Sequence, residues 1–171
     1  MKVKILEISS GELVDATIKE RKFNLPGLHD GWRFSFDKQI LKLPNTTAYV
    51  LVTDETQEAI EGCLIFQMKN KIIPYMAFVE VAPHNKTDAK RYDYVAGCLI
   101  AFAFRQSIIQ GKGDYKGWLA FDVMEEKEVD QIKLMGMYSL KYGAVKVDET
   151  QMYIMDDAGD ALMEKYLERK T

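Results

Sequence analysis

The stretch Phe78-Val79-Glu80-Val81-Ala82-Pro83, then the polar, basic segment Pro83 to Arg91, then Arg91-Tyr92-Asp93-Tyr94-Val95-Ala96-Gly97 decides how the chain is read. The first part is rich in β-formers and stops at a proline, as a strand does when it ends. The last part opens the run Tyr94 to Gln110, apolar on most sides of its early turns, which is the pattern of a largely buried helix. Strand, loop and helix in this order have chemical consequences. A helix N-terminus carries unpaired N–H groups and a positive partial charge, so it can receive a phosphate. Small residues let the backbone approach such a ligand, and Lys86, Lys90 and Arg91 add positive charge beside it. A solvated loop with lysines on its surface has the same composition, and the pattern alone leaves both readings open.

Working outward from this stretch, three strands precede it. They are Thr47 to Thr53, Ala59 to Met68 and Ile72 to Val81, joined by the polar turns Asp54-Glu55-Thr56-Gln57 and Lys69-Asn70-Lys71, as in an antiparallel meander. Further upstream, Val3 to Ile8 is a short strand broken by Ser9-Ser10-Gly11. Glu12 to Phe23 is expected to be a helix ended by Pro26-Gly27. Between Leu28 and Pro44, Trp32, Phe34 and Phe36 alternate, while Phe36, Ile40, Leu41 and Leu43 suit a helix; loop followed by helix is the reading adopted. Downstream, Gly117 to Val123 is a strand. Glu125 to Tyr142 is a helix with an acidic first turn, and Gly143 stands where a capping glycine belongs. Val145 to Val147 and Gln151 to Met155 form a hairpin, and Asp156 to Arg169 a polar helix. The expectation is an α/β (α+β) chain: one mixed, mostly antiparallel sheet with helices on both faces. The strand after the buried helix should run parallel to the strand before it, with the helix crossing between them.

The 171 residues carry 23 Lys+Arg against 26 Asp+Glu, a formal net charge of −3, which disfavours a general nucleic-acid binder. No linker or internal repeat divides the chain, so residues 1–171 are read as one domain. Cys63 and Cys98 both sit in apolar runs and behave there as small hydrophobes, with a disulfide the lesser alternative. Two His and two Cys offer no zinc-ligand spacing, so no metal is expected. The N-terminus lacks the apolar stretch of a signal peptide, and the apolar run Tyr94 to Phe104 is too short to cross a bilayer. A reducing, cytoplasmic setting with no membrane partner is the expectation.

The chain resembles the GNAT acetyltransferase superfamily on two motifs. That family has a strand ending Val-x-Pro, a loop, and Arg/Gln-x-x-Gly-x-Gly/Ala at a helix start; here stand Val81-Ala82-Pro83 and Arg91-Tyr92-Asp93-Tyr94-Val95-Ala96. It also has an Asn seven residues before a Tyr in a helix ending Tyr-x-x-x-Gly-Phe; here Gln131 stands seven before Tyr138, and Tyr138-Ser139-Leu140-Lys141-Tyr142-Gly143-Ala144 follows. The match in element order runs from about Thr46 to Met155. Four departures are visible: Tyr94 for the first motif glycine, a longer loop before Arg91, Gln131 for Asn, and Ala144 for Phe.

The resemblance implies a GNAT-like fold and acetyl transfer from acetyl-coenzyme A to an amine, either a small molecule or a protein amine. It places the cofactor against Val81, Ala82, Lys90, Arg91, Tyr92, Asp93, Tyr94, Val95, Ala96, Gly97 and Gln131, with Gly97 giving back some of the room Tyr94 takes. Glu80 is the implied base for the attacking amine, and Tyr138 the acid for the leaving thiolate. A backbone N–H near Val81 or Ala82 would hold the thioester oxygen, which needs the Val81 end of its strand to splay from Gly117 to Val123. The rival expectation, favoured by Tyr94, is a GNAT-fold module that binds coenzyme A or a protein partner without turnover. His84 is read as an exposed loop residue, and His29, beside Asp30 and Trp32 in the irregular segment, is given no site role. Leu134, Met135, Met137 and Leu140 are read as core, and Glu125, Glu126, Glu128 and Asp130 as a solvated helix start. An oligomer is possible on this reading.

Overall fold

The structure is a computed structural model that describes residues 1–169. It opens with a hairpin, β1 (Lys2–Glu7) and β2 (Glu12–Glu20), closed by Gly11 at φ +70° and registered from Lys2↔Thr17 to Glu7↔Glu12. The expected helix over Glu12 to Phe23 is therefore a strand. Its decisive period is two: Ala16 and Ile18 are buried while Asp15 and Lys19 are exposed, and Val14, Thr17 and Ile18 are β-branched. An irregular segment and α1 (Phe36–Lys42) follow, as the loop-then-helix reading expects. The meander β3 (Thr46–Thr53), β4 (Ile60–Lys69) and β5 (Ile73–Val81) is antiparallel throughout.

Beyond β5 the chain crosses to the far edge of the sheet. There a two-residue strand, β6 (Tyr92–Asp93), pairs with β1 through Leu6↔Asp93 and Glu7↔Tyr92. Two ladder residues leave too short a pattern to see in sequence. α2 (Val95–Gln110) then returns to β7 (Trp118–Asp122). α3 (Glu128–Tyr142) ends at Gly143, whose φ of +68° is the left-handed turn a glycine takes most easily. β8 (Val145–Lys146) and β9 (Gln151–Met155) form the last hairpin, and α4 (Asp156–Tyr166) packs on α2. The sheet order is β6-β1-β2-β3-β4-β5-β7-β9-β8.

Two cores flank the sheet. On one face Leu99, Phe102 and Phe104 of α2, Met135 of α3 and Leu162 of α4 bury against Ile5, Ile18, Leu51 and Leu64. On the other, Trp32 and Phe36 cover Val50, Cys63 and Ile65. Cys63 and Cys98 belong to different cores, and both are free. Burial pushes the Cys98 thiol up to about 12 and the Cys63 thiol higher still, so both behave as apolar filling. No helix among the described residues is long and apolar enough to cross a membrane.

β5 and β7 are parallel neighbours with α2 between them in sequence, as the crossover rule requires. Their pairing is confined to Tyr75↔Ala120. From there β7 stays with β9, from Trp118↔Met155 to Asp122↔Gln151, while β5 runs on with β4 to Val81↔Gly62. The two strands part towards Val81, and that gap positions the site.

Candidate active site between two parting strands

The gap between β5 and β7 is a cleft of about 680 Å³. Val79, Glu80 and Val81 form one wall, Phe121 and Val123 the opposite one; Ala96 and Ile100 of α2 and Tyr138 of α3 close it on the helical face. Side chains alternate along β5. Val79 and Val81 join the α2 core, Phe78 packs on the α1 side, and Glu80 shares the phase of Phe78.

The ladder assigns the backbone donor. Ala82 donates its N–H to the carbonyl of Glu61 at 2.9 Å, so Ala82 faces β4. In an antiparallel pair successive residues turn their N–H and C=O to opposite sides. Val81 therefore turns its N–H away from β4 and into the cleft. Of the two donors the sequence left open, Val81 is free and Ala82 is engaged.

Glu80 is buried, at 7% exposure, and held by three donors. It accepts the Arg33 N–H at 2.7 Å and the Phe34 N–H at 3.1 Å, and it pairs with Lys86. These bonds pin the Arg33–Phe34 segment over the β5 wall. The Arg33 guanidinium then reaches across the mouth to Glu125 in a forked pair of 2.9 and 3.2 Å. The hydrogen bond to Glu125 raises the Arg33 pKa above its ordinary value, against the opposing effect of partial burial, so the latch stays charged. Glu125 is thus not part of a solvated helix start; it precedes α3 and closes the cleft.

Tyr138 stacks at an angle on Phe121, with ring centroids 5.0 Å apart, and its hydroxyl has no protein hydrogen-bond partner among the described residues. Burial, followed by the negative charge of Glu125, raises its pKa above that of a free phenol. The group therefore stays protonated and able to donate. At the other end of the lining, Tyr75 donates to Asp122 at 2.5 Å, and Thr150 donates to the second Asp122 oxygen at 2.7 Å.

The start of α2 is built differently from the expected phosphate cradle. The Tyr92 ring is buried, and its N–H goes to Asn85 Oδ1 at 3.0 Å. The Tyr94 N–H goes to the carboxylate of Asp93 at 2.7 Å. Lys90 pairs with Asp93 at 2.9 Å. Partial burial pushes the Asp93 pKa up, but the Lys90 bond, the Tyr94 N–H and the charges of Lys90 and Lys141 pull it down further, so Asp93 remains an anion at the helix start. Tyr94 adopts the left-handed conformation at φ 71° and carries the Arg169 guanidinium 3.8 Å from its ring centroid. Gly97 gives no room to a ligand: a Cβ there would meet the Tyr166 ring at 2.3 Å. Val95 is buried against the Gly62 position of β4. Of the residues expected to hold a phosphate, Ala96 lines the cleft and Arg91 is an exposed cation over the Tyr92 ring.

Gln131 does not reach the cleft. Its amide oxygen accepts the Glu125 N–H at 2.8 Å, and its amide nitrogen donates to the carbonyls of Val123 and Glu149. It staples the loop that carries Glu125. His84 is half-exposed and bonds at 2.5 Å to Glu61, which is fully buried and also accepts from Asn85 at 2.9 Å. Glu61, Asn85 and the Arg33–Glu125 latch escape a sequence reading because each joins residues far apart in the chain.

No family model and no curated protein sequence matches the chain. Solved structures do. A chain of a KacTA–DNA complex superposes with a TM-score of 0.58 at 15% identity, over 88% of this chain and 99% of that one. A chimeric spermidine N-acetyltransferase SpeG, from Vibrio cholerae and hSSAT, superposes at 0.51 with 12% identity, over 86% of this chain and 98% of that one. The fold is that of the GNAT acetyltransferases. In this chain β5 parts from β7 towards Val81, and side chains of the chain itself pack over the start of α2.

Proposed function

We propose that the cleft between β5 and β7 binds an acyl-coenzyme A thioester, and that the protein transfers the acyl group, acetyl in the simplest case, to an amine. One observation carries this reading: the strands part at Val81, and the walls of the gap present a backbone N–H, a carboxylate and an unpaired phenol. The apolar walls formed by Val79, Ala96, Ile100 and Phe121 suit the pantetheine arm. The start of α2 suits the diphosphate less, because the Asp93 carboxylate takes the Tyr94 N–H and sets a negative charge beside the helix start. Binding strength is therefore assigned to the arm.

In transfer, the attacking amine loses a proton towards Glu80. All three donors on this carboxylate leave it lone pairs for a bridging water. The Val81 N–H meets the negative charge that develops on the carbonyl oxygen as the new C–N bond forms. As the C–S bond breaks, Tyr138 gives its proton to the sulfur and recovers one from solvent. The products are an amide and a thiol. The unpaired, buried cysteines suit a reducing, cytoplasmic setting.

A second reading, a module that binds the thioester without turnover, has one observation in its favour: the acidic start of α2, where the Tyr92 and Tyr94 N–H groups are already bonded. A thermal shift with acetyl-coenzyme A, followed by thiol release across a panel of small amines and lysine peptides, separates the two. A shift with thiol release supports transfer, a shift without it on any acceptor supports the module, and no shift at millimolar ligand overturns both.

A further inference from the structure

Six charged side chains line the cleft, and four of them are paired: Arg33 with Glu125, and Lys86 with Glu80. Lys69 and Asp122 remain. Neither has an ion-pair partner among the described residues, and they do not pair with each other. Both sit against one phenol. The Lys69 ammonium lies 3.5 Å from the Tyr75 ring centroid, and the Tyr75 hydroxyl donates to Asp122 at 2.5 Å. The Thr150 hydroxyl donates to the other Asp122 oxygen at 2.7 Å. Two neutral hydroxyls fix this carboxylate without neutralising it. Burial, then the bond to Asp122, raises the Tyr75 pKa, so the phenol remains the donor. The cleft thus holds a cation and an anion on either side of one ring, each short of an opposite charge.

Both charges lie on the side left to the amine. Met68, Met76, Val79 and Phe121 turn into the α2 core, so their neighbours Lys69, Tyr75, Glu80 and Asp122 share the opposite, α1 face of the sheet. The pantetheine arm is assigned to the α2 face, which leaves the α1 face to the acceptor. Register gives the reach. Along β4 the partners of Tyr75 and Val81, Gln67 and Gly62, stand five residues apart, while Asp122 stands two beyond Ala120, the β7 partner of Tyr75. The Val81 N–H is therefore three residues further along than Asp122, about 10 Å. A contact of about 3 Å at Asp122 leaves about 7 Å, which an extended chain of four methylenes ending in an amine spans.

We propose, resting on acyl transfer in this cleft, that the acceptor is a free α-amino acid with a side-chain amine. Its carboxylate meets Lys69, its α-ammonium meets Asp122, and its side chain runs along the α1 face to Glu80. A lysine within a protein chain has neither head group, and a diamine lacks the carboxylate, so each leaves a charge of the pair unmet.

The test is calorimetric titration of L-lysine and L-ornithine into the full chain without thioester, which reads binding apart from turnover. At least one of them binds. Cadaverine, which lacks the carboxylate, and Nα-acetyl-lysine, which lacks the α-ammonium, bind about tenfold more weakly or worse. Lys69→Met keeps an apolar stem on Tyr75 and removes the charge. It weakens the amino acid about tenfold or more and leaves cadaverine unchanged or tighter. Asp122→Asn keeps the shape and removes the charge; it weakens the amino acid and leaves Nα-acetyl-lysine unchanged. No binding of either amino acid at tens of millimolar overturns the proposal, and so does a Lys69→Met loss that is equal for cadaverine. Thiol release from acetyl-coenzyme A is measured separately. Amino-acid binding without release on any acceptor overturns transfer and leaves the site standing. Release with other amines, and no amino-acid binding, overturns the site and leaves transfer standing.

Discussion

The two ends of the cleft share α2 as a wall yet treat a ligand differently. At the β5–β7 end, Val81 has an unpaired N–H and Tyr138 an unpaired hydroxyl, both facing a space walled by apolar side chains. At the start of α2, the Tyr92 and Tyr94 N–H groups are already bonded, Asp93 supplies the negative charge, and Tyr166 packs where Gly97 leaves space. A helix N-terminus is an anion site only while its donors are free. One end is thus open to chemistry, while at the other the Tyr92 and Tyr94 donors are taken and an anion already sits beside the helix start.

The largest expected effect is at the open end. Tyr138→Phe keeps the ring on Phe121 and removes only the proton donor, so kcat should fall by roughly 10²–10⁴-fold with acetyl-coenzyme A affinity retained. A parent-like kcat would make Tyr138 a packing residue. Because burial raises the Tyr138 pKa, the parent should keep its kcat on the alkaline side past the ordinary phenol range near 10 before losing it, and a fall well below that range would contradict the assignment.

Glu80→Gln comes next. It leaves Lys86 facing an amide and costs about 1.5–3 kcal/mol, read as a lower denaturation midpoint. If Glu80 also receives the amine proton, kcat should drop at temperatures where the variant is fully folded, and raising pH should recover part of the loss. A stability loss alone would reduce Glu80 to pinning Arg33 and Phe34.

Smaller effects belong at the closed end. Asp93→Asn should tighten acetyl-coenzyme A about two- to fivefold, because it removes an anion from the helix start. Arg91→Ala should weaken binding by less than about fivefold, since the arm provides most of the affinity. A tenfold or greater loss in Arg91→Ala, read by calorimetry, would mean that the phosphates lie against α2 after all and that the contrast between the two ends is wrong.

The legible parts of this fold were those set by local pattern. The meander from Thr46 to Val81, the buried helix from Val95 and the capping Gly143 follow from alternation, apolar content and a single glycine. β2 misled because Leu13, Ala16, Thr17 and Glu20 also fit a helical face, and pairing with β1, a tertiary effect, settles the matter. Glu80 and Tyr138 stood out by motif position, and the structure brings both to one cleft. Gln131 stood out in the same way and is a loop staple, because the type of a side chain does not say where its amide points. The Arg33–Glu125 latch joins residues 92 positions apart, which no local pattern encodes. Leu140 satisfied the helical period and lies outside the core, because period alone does not tell a stripe that faces the sheet from one that faces solvent.

The most direct measurement is a calorimetric titration of acetyl-coenzyme A into the parent and into Val79→Trp, whose added ring fills the cleft from β5 and leaves the start of α2 untouched. One site per chain in the parent, lost in Val79→Trp with the thermal midpoint preserved, is the predicted result. Equal binding by both proteins would contradict it and place the thioester outside the gap between β5 and β7.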